Sequence, residues 1–117
     1  MDSRLLGAFG EQTAARYLRK KGYNIISANF KSKSGEIDLV ASKGEYIAFV
    51  EVKTRQVGGM LPPSAAVDEH KKRNIKDTAA YYLSRYHYDL TVRYDVVEVL
   101  VDENRLVSVN HIENAFD

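Results

Sequence analysis

Asp38, Glu51 and Lys53 are charges in apolar company. Asp38 interrupts Ile37-Asp38-Leu39-Val40, and Glu51 and Lys53 interrupt Phe49-Val50-Glu51-Val52-Lys53. Side chains alternate along a strand, so Glu51 and Lys53 share one face while Val50 and Val52 take the other. Burying an unpaired carboxylate or ammonium is costly, and such groups persist where they are paired or bind a metal. A bare Glu-x-Lys says nothing: at typical usage of about 6% each, about 0.4 copies arise by chance in a chain of this length. The information lies in the context, a strongly apolar strand one hairpin after a strand with an isolated Asp. Solvated charges on an edge strand would show the same alternation, and that is the plain alternative.

The chemistry that uses this set is metal-assisted phosphodiester hydrolysis. Two or three carboxylates on rigid elements hold Mg²⁺, a hard ion that prefers oxygen ligands and keeps several waters. Mn²⁺ is expected to substitute. The Val52 carbonyl is a further candidate ligand. A lysine two residues after one carboxylate emerges on the same strand face. There Lys53 can orient or deprotonate the attacking water, or neutralise charge in the transition state.

The elements that position these groups follow from periodicity. Residues from about Ser3 to Lys21 read as a helix stopped by Gly22. At 100° per residue, Gly7, Ala8, Glu11, Ala14, Ala15 and Leu18 fall on one inward stripe. Glu11 is an odd acid in the middle of it. Three strands follow: Tyr23 to Phe30, Ile37 to Ala41, and Tyr46 to Lys53. Their short Gly-containing connections favour antiparallel hairpins. Gly58-Gly59-Met60-Leu61-Pro62-Pro63 reads as a mobile loop. A helix over Asp68 to Tyr86 carries Lys71, Ile75, Ala79, Tyr82 and Tyr86 on one stripe. Leu90 to Val101 reads as an interior strand. A turn at Asp102-Glu103-Asn104 leads to a short strand near Leu106 to Val109 and a tail. The order helix, three strands, helix, two strands predicts one α/β domain over residues 1–117, with helices packed on a mixed sheet.

Composition narrows the class. The 117 residues, 44% hydrophobic and 28% charged, suit one soluble domain with a real core. With no cysteine, thiol catalysis, thiolate metal sites and a disulfide scaffold are excluded. No apolar run approaches a membrane span, and Met1 to Gly7 lacks a signal-peptide core. A cytoplasmic protein with no membrane partner is the expectation. The net charge of +1 hides an asymmetry. Up to Lys33, seven basic residues face Asp2 and Glu11; from Asp95 onward, six acids face Arg105. Lys71-Lys72-Arg73, with Lys76, forms a second basic cluster. Two such patches could meet one polyanion, although solvated helix faces would look the same.

Other residues carry two readings each. Arg55 continues the face of Glu51 and Lys53 and either meets a phosphate or is solvated at the strand end. Lys71 either snorkels or reaches the site. Glu36 shares the alternation of Asp38, but the turn at Gly35 leaves its direction open. Asp95 reads as a structural partner for Arg93. His70, His87 and His111 show no metal spacing and read as surface residues. Tyr81, Tyr82 and Tyr86 read as core and rim.

The motifs are also familiar as a set. Gly10-Glu11-x-x-Ala14, Gly22-Tyr23-x-Ile25-Ile26-x-x-Asn29, Gly35-Glu36-Ile37-Asp38-Leu39-Val40, Phe49-Val50-Glu51-Val52-Lys53-x-Arg55, Lys71-x-x-Arg73-x-Ile75 and Arg93-Tyr94-Asp95-Val96-Val97 resemble the bacterial YraN-like family. That family is uncharacterised and is grouped with restriction-endonuclease-like proteins and Holliday-junction resolvases. The resemblance runs along essentially the whole chain. It implies a PD-(D/E)xK nuclease core, with Asp38 and Glu51 as metal ligands and Lys53 as the catalytic lysine. It also implies that Glu11 matches the first-helix acid of resolvase-like members and joins the metal site. Ile37, rather than Pro, precedes Asp38. The function implied is a divalent-metal-dependent endonuclease on nucleic acid, DNA first and branched structures among the substrates. Arg55, Lys71, Lys72 and Arg73 would be its nucleic-acid contacts, and a homodimer would cut two strands symmetrically. The alternatives are a catalytically weak or inactive nucleic-acid-binding accessory protein, and a protein-interaction domain that docks through its acidic C-terminal part.

Overall fold

The computed structural model describes residues 2–58 and 67–117. Helix α1, Ser3–Lys20, starts where the Asp2 carboxylate accepts a hydrogen bond from the Leu5 N–H at 2.9 Å. That caps a donor the first turn leaves unpaired. It ends because Gly22 takes φ +95°, letting the Tyr23 N–H donate back to the Leu18 carbonyl at 3.0 Å. Strands β1 (Asn24–Ser32), β2 (Gly35–Lys43) and β3 (Tyr46–Gln56) follow, then α2 (Glu69–Arg85), β4 (Thr91–Asp102) and β5 (Arg105–Phe116). Asp68 caps α2 by accepting from the Lys71 N–H at 2.8 Å. The loop expected at Gly58 to Pro63 lies, beyond Gly58, outside the described residues.

The five strands lie in chain order, β1-β2-β3-β4-β5. Every pair is antiparallel except β3 with β4, which run parallel around α2. The fold is therefore the expected α/β arrangement with a mixed sheet, compatible with a nuclease-like core. Alternation splits the core into two layers. Ala14 and Leu18 of α1 pack on Leu39, Ala41, Ala48, Val50, Val97 and Val99. Ala79 and Tyr82 of α2 pack on the other side against Ile37, Val40, Ile47 and Phe49. Tyr82 is buried, while Tyr81 and Tyr86 are exposed at the rim, as expected.

Three expectations need correction. The inward face of α1 is Gly10, Thr13, Ala14, Ala15 and Leu18, whereas Ala8 is exposed and Glu11 half-buried. The helix is turned because Gly10 lies against β3: a Cβ there would stand 1.7 Å from Thr54 Oγ1. Glu11 is thus moved from the core to a flank. Second, β5 is a 12-residue strand instead of a short strand with a tail. Register shifts opposite Tyr94/Val96 and Leu100/Val101 break the period-2 pattern that would reveal it. Third, His111 is no surface residue: its side chain is 1% exposed. Its Nε2 lies 2.7 Å from Asp95 Oδ2, and its Nδ1 lies 3.0 Å from Lys21 Nζ. An ammonium only donates, so Nδ1 accepts and Nε2 carries the proton given to Asp95. Asp95 also receives Arg93 at 2.9 and 2.8 Å and the Asn114 N–H at 3.0 Å. Burial pushes the Asp95 carboxyl up, but the hydrogen bonds from His111, Arg93 and Asn114 outweigh it and hold the group below the usual range. The expected Arg93–Asp95 pair is present within β4, while His111 and Asn114 tie β5 to Asp95 and Lys21, just past α1, joins His111.

Candidate active site

The ladder between β2 and β3 runs from Lys43↔Tyr46 to Leu39↔Val50 and stops. The next pair would have been Asp38 with Glu51. Here the strands part: Ile37 stays with Phe30 of β1, while Glu51 and Lys53 stay beside Val96 and Glu98 of β4. The Val52 N–H donates to Asp38 Oδ2 at 2.7 Å, so a side chain bridges the gap between the strands. A pocket of about 350 Å³ opens at this fork. Its walls are Gly7 and Glu11 of α1, Asp38 of β2, and Glu51, Val52 and Lys53 of β3. The four residues singled out for chemistry, Glu11, Asp38, Glu51 and Lys53, are brought together.

Glu51 is 6% exposed, and its Oε1 faces two ammonium groups, Lys71 Nζ at 3.5 Å and Lys53 Nζ at 3.7 Å. Lys71 reaches the site and does not simply snorkel to solvent. Burial and then repulsion from Asp38 push the Glu51 carboxyl up to about 7, against the pull of Lys71 and Lys53. Burial also raises Asp38, with Glu36 adding to it, while the Val52 N–H and the two lysines oppose. Glu11 is raised by burial and then by Asp38 and Glu36, with a hydrogen bond from Asn29 opposing. Three neighbouring acids are lifted together, each by burial first, and such a pattern concentrates at functional sites.

Among the described residues, no group of three or more His, Asp or Glu side chains is gathered closely enough to hold an ion. Asp38 and Glu51 are the two carboxylates that interact across the fork. The Val52 contact falls on Oδ2 of Asp38, and both ion pairs fall on Oε1 of Glu51. Each carboxylate keeps a second oxygen. Glu11 belongs to the wall of the pocket.

The basic cluster is divided. Lys71 points to Glu51, but Lys72 pairs with Glu69 at 3.1 Å and lies 5.7 Å over the Phe116 ring. Arg73 is exposed, Arg55 is half-buried toward the end of β3, and Glu36 is exposed. Sequence reasoning missed Glu98. It is 8% exposed and adjoins Lys53 in the parallel ladder. Its Oε1 accepts from Asn110 at 3.2 Å, and its Oε2 is buried with no hydrogen-bond partner among the described residues. The signal was available, since Glu98 breaks the run Val96-Val97-Glu98-Val99-Leu100 just as Asp38 and Glu51 break theirs.

The model of the uncharacterised protein family UPF0102 matches residues 10–99, a span that includes Glu11, Asp38, Glu51, Lys53 and Lys71. The chain belongs to UPF0102. This is the YraN-like family that the motifs resemble. A UPF0102 protein of Caldanaerobacter subterraneus is 44% identical, covering 99% of this chain and 98% of that relative. One of Syntrophomonas wolfei is 45% identical, covering 97% and 99%. One of Porphyromonas gingivalis is 41% identical, covering 94% and 82%. The likeness to UPF0102 relatives thus takes in both helices and all five strands. No helix among the described residues is long and apolar enough to cross a membrane.

Proposed function

We propose that this pocket hydrolyses phosphodiester bonds of nucleic acid with a divalent metal ion, and that its substrate is DNA, branched structures included. The observation that carries this is the fork between β2 and β3, where Asp38, Glu51 and Lys53 converge on one pocket with Glu11 opposite. A binding module has no use for acids where they repel phosphate. Mg²⁺ is typically held by one or two carboxylates together with the substrate phosphate and water, and Asp38 with Glu51 fits that donor set. When bound, the ion polarises the phosphate and acidifies the attacking water.

The remaining work falls to side chains. The Val52 N–H fixes the Asp38 carboxylate, so one ligand is oriented without reorganisation. Lys71 holds Glu51 from α2 and shields its charge from the incoming phosphate. Lys53, tethered 3.7 Å from Glu51, turns its compact ammonium to the water or to charge developing on phosphate. Glu11 orients water from the opposite wall. A cleavage screen with Mg²⁺ or Mn²⁺ over single-stranded, duplex, flap and four-way-junction DNA tests the reading. Metal-dependent cleavage lost in Asp38→Asn/Glu51→Gln supports it. Cleavage of none of these, or equal cleavage by the double variant, removes it and leaves the accessory-protein alternative ahead.

A further inference from the structure

A second cavity adjoins the pocket. The groove between α1 and β1 measures about 410 Å³, within the usual range for small-molecule sites. Glu11 lines both cavities, so the groove lies next to the proposed cleavage site. Its floor is Ala15, Ile25, Ala28 and Leu39, four aliphatic side chains. Its rim carries two exposed guanidiniums, Arg16 and Arg19, further along α1 than Glu11, and neither makes an ion pair among the described residues. The carboxamides of Gln12 and Asn29 complete the lining. Asn29 sits at φ +55°, a left-handed conformation Asn tolerates, and it lines the groove together with Glu11.

We infer that this groove holds an unpaired nucleotide next to the scissile phosphate, with its base on the aliphatic floor and its phosphate on Arg16 and Arg19. The inference rests on the nuclease reading for its direction and adds a substrate class to it. A hydrated phosphate gains nothing from Ala15, Ala28 and Leu39, whereas the flat face of a base does. Forked guanidiniums match phosphate oxygens bidentately. Carboxamides donate and accept, as the Watson–Crick edge of an unpaired base requires. A paired base offers neither its face nor that edge, because stacking and pairing occupy both. Extruding it costs unstacking energy, least where the base is already unpaired. A site so built selects DNA with an unpaired nucleotide beside the cut and discriminates against continuous duplex.

The test uses the whole chain in EDTA, so that binding is read without cleavage. The probes are one short DNA duplex with 2-aminopurine as a single-nucleotide bulge, and the same duplex with 2-aminopurine paired. The protein should bind the bulged probe on the order of tenfold more tightly, and the fluorescence of the bulged base should change on binding. Ala28→Phe, at an exposed position of the groove, should abolish the preference while paired-duplex affinity stays within about twofold. Should that variant melt early, Ala8→Phe on the exposed side of α1 fills the same groove. Arg16→Gln/Arg19→Gln should weaken binding of both probes. Equal affinity for the two probes, or a preference that survives Ala28→Phe and Ala8→Phe, overturns the inference. A preference without cleavage in Mg²⁺ or Mn²⁺ sinks the nuclease reading alone. Cleavage without a preference sinks the groove alone.

Discussion

Lys53 and Glu51 share one strand face and one ion pair, yet the proposal gives them different work, and substitution separates them. Lys53→Ala should leave folding and metal binding largely intact and reduce cleavage by about a hundred- to thousand-fold, the usual cost of one pre-positioned electrostatic group. Lys53→Arg should not restore the rate, because a planar fork cannot replace a compact ammonium. Unchanged cleavage by Lys53→Ala would remove the role. Asp38→Asn should abolish the calorimetric signal of Mg²⁺ or Mn²⁺ binding; equal binding by wild type and variant would show that the ion sits elsewhere. Glu51 adds a pH dependence. Burial and Asp38 raise its folded-state pKa from 4.5 to about 7, so the folded chain holds a proton that the unfolded chain has released. Metal-free stability should therefore be full below about 4.5 and decline as pH rises through about 7. Urea melts in EDTA at about pH 5.5 and about pH 8 measure this, and Glu51→Gln should flatten the difference. A chain more stable at the higher pH, with Glu51→Gln making no difference, would refute it. Asp38, Glu51 and Lys53 were legible in sequence because each breaks an apolar run. His111 was not: nothing local to it announces that Lys21 and Asp95 close on its two nitrogens from 90 and 16 positions away.

At the scale of elements, periodicity recovered both helices and all five strands, because each carries its own cap or turn. It failed where tertiary contacts override it. The stripe drawn on α1 from small residues was rotated by the approach of Gly10 to Thr54, a fact about a partner strand far along the chain. The extent of β5 was hidden by its bulges. The Gly10 contact sets two effects against each other. In an isolated helix, Gly→Ala stabilises by about 1 kcal/mol. Here the new methyl would overlap Thr54, with Oγ1 at 1.7 Å and Cβ at 2.9 Å, and overpacking of this kind costs about 1–3 kcal/mol. Gly10→Ala should therefore destabilise the protein, and Thr54→Ala in the same chain should recover most of the loss. Chemical denaturation of the two single variants and the double variant reads the coupling. A stabilised Gly10→Ala would mean that α1 and β3 are not in close contact.

For the whole molecule, net charge says less than the placement of each cation. Of the central cluster, Lys71 is turned to Glu51 and Lys72 to Glu69, which leaves Arg73 and Lys76 exposed. If Arg73 contacts duplex phosphate, Arg73→Gln should lower the slope of log affinity against log salt by about 0.9, and Lys72→Gln should lower it by less. Filter binding across a salt series decides; an unchanged slope for Arg73→Gln places the polyanion on another face. The mixed sheet has a consequence in time as well as in space. Strands β1, β2 and β3 follow one another through tight turns, and this meander contains Asp38, Glu51 and Lys53. The parallel ladder, by contrast, joins Tyr46 to Thr91 and must close a loop that includes all of α2. Short loops close at lower entropic cost than long ones, so the meander should form first and β4 should dock onto it. Asp38 and Glu51 would then be pressed together in the folding transition state, before the ladder is complete. Stopped-flow chevrons in EDTA should show Asp38→Asn accelerating refolding, while Val97→Ala in β4 chiefly accelerates unfolding. The acids that equip the fork for chemistry would thus retard the chain's own folding, and the reverse assignment of the two chevron arms would mean that β4 is in place first.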